Sequence, residues 1–348
     1  MPTFKITLAY DGTEFSGWQV QPGQRTVQGV LEVVLRQLTG QTVRVWGASR
    51  TDSGVHALGQ VAAFSLQTRL SPEELLRGMN ALLPPDVVVW HIEETSPRFW
   101  PSRDATAKRY RYLLYDGVVR HIFLRRYLWQ VDQRLDVEAM HRAGQYLVGT
   151  HDFASFQSRG SPRQETVRTL FDVSVRRCEE GEGGLWLWQI PSPSLGSVRP
   201  PADGGQTSGT SLTDGAGQGG GEQKITQLEP EPPPPPLSSA PPQAADQPHS
   251  PRQNPEGDLI LVEVEGDGFL YHMVRAIVGT LVEIGRGNRP PEWMAEVLAA
   301  RNRSAAGKTA PPEGLYLLYV RFDLPRSAPT IWQPTCVPLP PEETLPQE

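Results

Sequence analysis

A chain of 348 residues with 38% hydrophobic content is long enough for two domains, while its 34 Pro and 33 Gly point to stretches that do not fold. It has no 18-residue apolar run, no basic leader before the alternating start Met1-Pro2-Thr3-Phe4-Lys5, and only two distant cysteines, Cys178 and Cys336. These features argue against a membrane span, a signal peptide and a disulfide or zinc framework, and lead to the expectation of a soluble, cytoplasmic protein. The formal charge of −6 is unevenly spread, with 11 Asp+Glu against 3 Lys+Arg in residues 178–258 and 3 Glu against 1 Arg in 324–348. The rest of the chain is mildly basic, which is compatible with a polyanionic partner.

Phe4, Ile6, Leu8 and Tyr10 alternate with Lys5, Thr7 and Ala9, a period-2 strand ended by a turn at Asp11-Gly12. Val27, Val30, Leu31, Val34, Leu35 and Leu38 then follow helical spacing. Strands are expected over 43–46 and 61–64, with the polar segment Ser49-Arg50-Thr51-Asp52-Ser53-Gly54-Val55-His56-Ala57 between them. Ser71-Pro72-Glu73-Glu74 supplies an N-cap, a first-turn proline and a capping-box glutamate for a helix to about residue 82, and 87–92 reads as a strand. The order is β-α-β-β-α-β.

The second half repeats it: a strand over 110–115, a helix over 137–147, strands over 167–175 and 259–264, helices over 273–284 and 293–298, and a last strand over 315–322. The expected fold is α+β, two tandem ferredoxin-like (RRM-like) β-α-β-β-α-β units whose antiparallel sheets flank a central cleft. The first unit spans 1–98 and the second 99–178 with 257–323. Residues 179–256, rich in Pro and Gly and acidic, interrupt the second unit where a hairpin tip belongs and read as a disordered insertion, and 324–348 is a Pro-rich tail. Gly215 to Gly220 matches a dinucleotide fingerprint in letters only, because neither a strand nor a helix flanks it. Trp186 and Trp188 are unexpected in such an insertion; they either extend the preceding strand or dock on the body.

Asp52 is the leading site candidate. An Arg, a carboxylate, a Gly and a His within so few residues suit a reactive loop better than a core, and Arg50 is placed to keep the Asp52 carboxylate ionised and aimed. A surface turn held by an Arg/Asp pair is the alternative. In Lys108-Arg109-Tyr110-Arg111-Tyr112, a strand puts Tyr110, Tyr112 and Lys108 on one face, a surface suited to an unstacked base, or else a half-buried strand with solvated basic residues. Phe269-Leu270-Tyr271-His272-Met273-Val274-Arg275, followed by Gly279, opens a helix whose Met273, Ile277 and Leu281 face a core, leaving His272 and Arg275 for other work or as surface charges. His56, His151 and His272 do not have metal-ligand spacing.

The loop around Asp52 resembles the Gly-Arg-Thr-Asp-Ala-Gly-Val-His motif of the bacterial-type TruA family of tRNA pseudouridine synthases, with Ser49 and Ser53 replacing the usual Gly and Ala. Tyr10-Asp11-Gly12, Gly17-Trp18-Gln19, Gly149 to Phe156, His272 to Arg275 and Glu313 to Leu317 are similar to further family segments, in order along both halves. Phe99-Trp100-Pro101-Ser102 departs from the family's Phe-His-Ala-Arg. The resemblance implies an enzyme that isomerises uridine to pseudouridine at positions 38, 39 and 40 of the tRNA anticodon arm, acting as a homodimer without cofactor or metal. It implies Asp52 as the catalytic carboxylate, Tyr110 as the residue stacking on the target uracil, Arg50 and Arg275 as its basic partners, and Leu315 as a pocket contact. The Gly149 to Phe156 segment is expected to support the cleft. A non-catalytic RNA-binding module, without nucleotide cofactor or membrane attachment, is the competing reading; an acid-dependent hydrolase is weakened by the lack of a second carboxylate in a comparable loop.

Overall fold

The computed structural model describes residues 1–158, 160, 165–178 and 257–322. The Pro/Gly-rich insertion, with Trp186, Trp188 and the glycines near 215, and the tail with Cys336 lie outside the described residues. The elements run β1 (Thr3–Tyr10), α1 (Val27–Thr39), β2 (Trp46–Gly47), β3 (His56–Ser65), α2 (Pro72–Leu82), β4 (Val87–Thr95) and the single-turn α3 (Pro101–Asp104). They continue with β5 (Ala107–Tyr115), β6 (Trp129–Gln130), α4 (Val137–Gln145), β7 (Gly149–Asp152), β8 (Val167–Arg177), β9 (Leu259–Gly266), α5 (Met273–Gly285), α6 (Trp293–Ala300) and β10 (Leu315–Arg321). The fold is mixed, with one large and mostly antiparallel sheet.

The helix boundaries follow local chemistry. Thr26 caps α1 by accepting from the Gly29 N–H, and Ser71 and Glu74 form the expected capping box on α2. Asp136 caps α4 in the same way, accepting from the Ala139 N–H. Helix α5 is buried along nearly its whole length in the large core, and the chain crosses it closely at Gly279, where a Cβ would lie 1.7 Å from the Lys308 carbonyl oxygen. Among the described residues no helix is long and apolar enough to cross a membrane.

Strand order in the sheet is β4-β1-β3-β10-β5-β9-β8-β7, with β2 added on β3 and β6 on β5. The β3–β10 pairing is parallel, Tyr316 opposite His56 and Leu317 opposite Ala57, and it welds the two halves into one sheet. The strand expected over 43–46 contracts to Trp46–Gly47, paired antiparallel with Ala63 and Ala62, while β10 pairs with β3 at His56 and Ala57. Val43 and Val45 are still buried core side chains, and the Val45 N–H donates to Glu32 Oε1 at 3.0 Å instead of to a strand.

Alternation along β5 sorts its residues between two faces. Tyr110, Tyr112 and Leu114 enter the large core with Leu31 of α1, Leu75 of α2, Met140 of α4 and Ile277 of α5, whereas Leu113 and Tyr115 join a smaller cluster with Leu261 and Tyr316. Arg109 and Arg111 take the second face but are not solvated. Both are buried, with Arg109 bonded to Asp172 at 2.7 Å and Glu265 at 2.8 Å and sharing Glu263 with Arg111. Desolvation of two guanidinium groups is tolerable here because each meets carboxylates in a geometry that uses its planar donors.

Candidate active site

The Asp52 loop leaves β2 and re-enters at β3, and it is held from below by the segment after β1. The Trp18 N–H donates to the Thr51 carbonyl oxygen at 3.1 Å, and the Gly54 N–H and Ser53 hydroxyl both donate to the Phe15 carbonyl oxygen at 3.2 Å. Gly17 adopts φ +84°, and a Cβ there would sit 2.7 Å from the Thr51 carbonyl oxygen, so a larger residue would push the loop away. The Thr51 hydroxyl meets the Tyr10 hydroxyl at 2.8 Å, and burial pushes the Tyr10 phenol up to about 12, so it serves as a neutral anchor. His56 belongs to this framework and not to the cavity: it is buried, stacked on Tyr316 at 4.7 Å, and accepts from the Gly12 N–H at 3.0 Å.

Asp52 projects from this support toward the first turn of α5. Its Oδ2 lies 3.2 Å from Arg275 Nη1 and 3.4 Å from His272 Nε2, and no hydrogen bond among the described residues reaches its Oδ1. A carboxylate at a helix N-terminus is also favoured by the helix dipole. Arg275 cannot swing freely, since its Nε donates to the Ala310 carbonyl oxygen at 2.8 Å while its own carbonyl accepts from the Ala310 N–H at 3.0 Å. His272 sits at φ +61°, an uncommon conformation for a residue other than glycine, with Nδ1 2.9 Å from the Ser158 hydroxyl and its ring stacked on Tyr271. Burial is the main cause of its lowered pKa; nearby Asp52 raises it, and Arg275 and Arg303 reinforce the lowering.

Tyr110 reaches the same space from β5. Its hydroxyl is 2.6 Å from the Ser49 hydroxyl and its ring meets Phe269 edge-on at 4.9 Å. Burial holds its phenol proton well above the ordinary tyrosine value. Ser49 is itself clamped, its N–H donating to Gln60 Oε1 at 3.2 Å and its carbonyl accepting from Gln60 Nε2 at 2.8 Å. A fully buried amide thus ties the start of the Asp52 loop to the aromatic shelf.

Arg50, Asp52, Tyr110, Arg275 and Leu315 all line one cavity of about 1850 Å³. That volume exceeds what a small metabolite needs and suits part of a macromolecule. One expectation is corrected. Arg50 is exposed and makes no ion pair with Asp52 among the described residues; the cation at the carboxylate is Arg275, with His272 Nε2 3.4 Å away. The His272 contact was missed by sequence reasoning, although its place three residues before Arg275 on one helix turn was a usable signal. The segment from Gly149 to Phe156 contributes Phe153 and Phe156 to the core and does not line the cavity. No group of three or more His, Cys, Asp or Glu among the described residues is placed to hold a metal ion.

The model of the tRNA pseudouridine synthase family matches residues 6–99 and 143–323. The chain is 36% identical to tRNA pseudouridine synthase A of Moorella thermoacetica over 324 residues, covering 92% of this chain and 100% of that protein. It is 34% identical over 322 residues to the protein of that name from Acetivibrio thermocellus, again with 92% and 100% covered, and 36% identical over 317 residues to that from Myxococcus xanthus, with 91% of each covered. A match spanning both halves, with the Asp52 loop and the Arg275 helix meeting in one cavity, means that the chain belongs to the tRNA pseudouridine synthase family.

Proposed function

We propose that this chain converts uridine to pseudouridine at positions 38, 39 and 40 of the tRNA anticodon arm, with Asp52 as the catalytic carboxylate. The observation that carries the reading is the asymmetry of that carboxylate: Arg275 donates to Oδ2, with His272 Nε2 3.4 Å away, and no hydrogen bond among the described residues reaches Oδ1. The reaction breaks the bond from uracil N1 to ribose C1′, turns the base and joins C5 to C1′. N1 gains a proton, the C5 hydrogen leaves as a proton, and no electrons are exchanged with an outside reagent. An ionised carboxylate with an available oxygen can attack the nucleoside or take a sugar hydrogen. Arg275 fixes its direction and offsets its charge next to RNA phosphate.

The target uridine must leave its stack, at roughly a few kcal/mol, and the rim of Tyr110 that lines the cavity returns part of this by stacking. Leu315 supplies an apolar wall, and Arg50, exposed at the same cavity, meets the RNA backbone. Each half supports a ferredoxin-like reading through its strand order, β4-β1-β3-β2 in residues 1–98 and β10-β5-β9-β8 in 99–178 with 257–323. A homodimer is supported by the exposed apolar run between β5 and β6, where Val118, Val119, Ile122 and Phe123 face outward. The working compartment is the cytoplasm, where the substrate RNA is found.

The test is tritium release from C5-tritiated uridine in a tRNA transcript. Wild type releases tritium and Asp52→Ala releases none while still binding the RNA; equal release by both removes Asp52 from the reaction. RNA binding without release by wild type would reduce the protein to a non-catalytic module. Sedimentation of Phe123→Asp against wild type tests the dimer.

A further inference from the structure

The cavity holds a second aromatic surface that the reaction at Asp52 does not use. Trp46 of β2 and Trp100, just before α3, both line it, with ring centroids 5.1 Å apart and planes inclined by 37°. Trp100 is 41% exposed and lines the groove with part of its ring face open. It is also held in place. Its backbone N–H donates to Asp104 Oδ2 at 2.8 Å and its indole N–H to the Ser102 hydroxyl at 3.0 Å, while Pro101 begins the helical turn that positions both acceptors. Every residue by which this segment departs from the Phe-His-Ala-Arg pattern therefore serves to present the indole.

We propose that Trp100, backed by Trp46, is a stacking platform for an unpaired anticodon-loop base other than the uridine being isomerised. A preorganised indole loses little conformational entropy on binding, and a base offers the matching flat π-face. The charge of the wall fits the same ligand, since the exposed Arg44 lines the same cavity, as does Arg103, whose guanidinium is oriented by Asp104 at 2.7 Å and by the Arg98 carbonyl. A protein partner would not need that combination of one planar shelf and cations inside the substrate groove. The inference rests on the reading that the groove takes tRNA, and it adds a nucleotide contact remote from the chemistry.

The test compares wild type, Trp100→Ala and Trp100→Phe on a tRNA transcript and on a series of transcripts carrying one abasic site at successive anticodon-loop positions. Trp100→Ala is expected to raise KM about tenfold with kcat near wild type, and Trp100→Phe to recover most of the loss. One abasic position outside the target should weaken wild type by a similar factor and leave Trp100→Ala unaffected. An unchanged KM in Trp100→Ala, or abasic effects equal in both proteins, overturns the platform. Dissociation constants from fluorescence anisotropy with the same RNAs read the platform without turnover. Binding that depends on Trp100 but yields no tritium release would thus defeat the reading of the Asp52 site alone.

Discussion

Replacing Arg275 with Met keeps much of the buried stem and removes the charge beside Asp52. At 3.2 Å and an effective dielectric constant near 20 the gross attraction is about 5 kcal/mol. Solvation of the free carboxylate returns part of it, and the net value of a charge-assisted hydrogen bond is about 1.5–3 kcal/mol. The side chains are 13% and 21% exposed, so screening by water and salt is modest. If that interaction is fully used in the transition state, kcat/KM falls roughly 10- to 150-fold. Arg275→Lys should recover only a part, since a lysine cannot hold Ala310 and Asp52 together as the guanidinium does through Nε and Nη1. Tritium release with kcat and KM fitted separately, alongside thermal unfolding, is the assay. A correctly folded Arg275→Met enzyme with kcat/KM close to wild type would refute the assignment of Arg275 as the carboxylate's anchor.

Ser49→Ala leaves the buried Tyr110 hydroxyl without its partner and should cost about 1–3 kcal/mol in urea unfolding, while adding Tyr110→Phe to it should cost little more than Tyr110→Phe alone. Arg109→Ala removes one cation from Glu263, Glu265 and Asp172 but leaves Arg111 on Glu263 and Arg321 near Glu265, so it should lower stability by about 1.5–3 kcal/mol, with no direct effect on Asp52. The lowered pKa of His272 means that the unfolded chain takes up this proton before the folded one as pH falls. Wild type should therefore lose stability below the ordinary histidine pKa, and His272→Asn should show a shallower loss in the same window by urea unfolding at stepped pH.

Much of this protein was legible along the chain. Periodicity marked both halves, the Ser71/Glu74 box marked the start of α2, and the residue types around Asp52 marked a loop that lines the cavity, because each of these signals is local and lies within a few residues. Tertiary structure decided the partners. Nothing in the spacing of Arg50 and Asp52 shows that the cation at Asp52 comes from a helix 223 residues further on. The alternation in Lys108 to Tyr112 separated aromatic from basic residues correctly but could not tell a solvated face from one covered by carboxylates of β8 and β9. Likewise the Ser49–Tyr110 hydroxyl pair and the Trp46–Trp100 shelf join residues far apart in the chain, which local spacing does not bring together. Local sequence encodes which face of an element is apolar and where it ends; long-range packing chooses what that face meets, because the contact energy depends on residues far away in the chain.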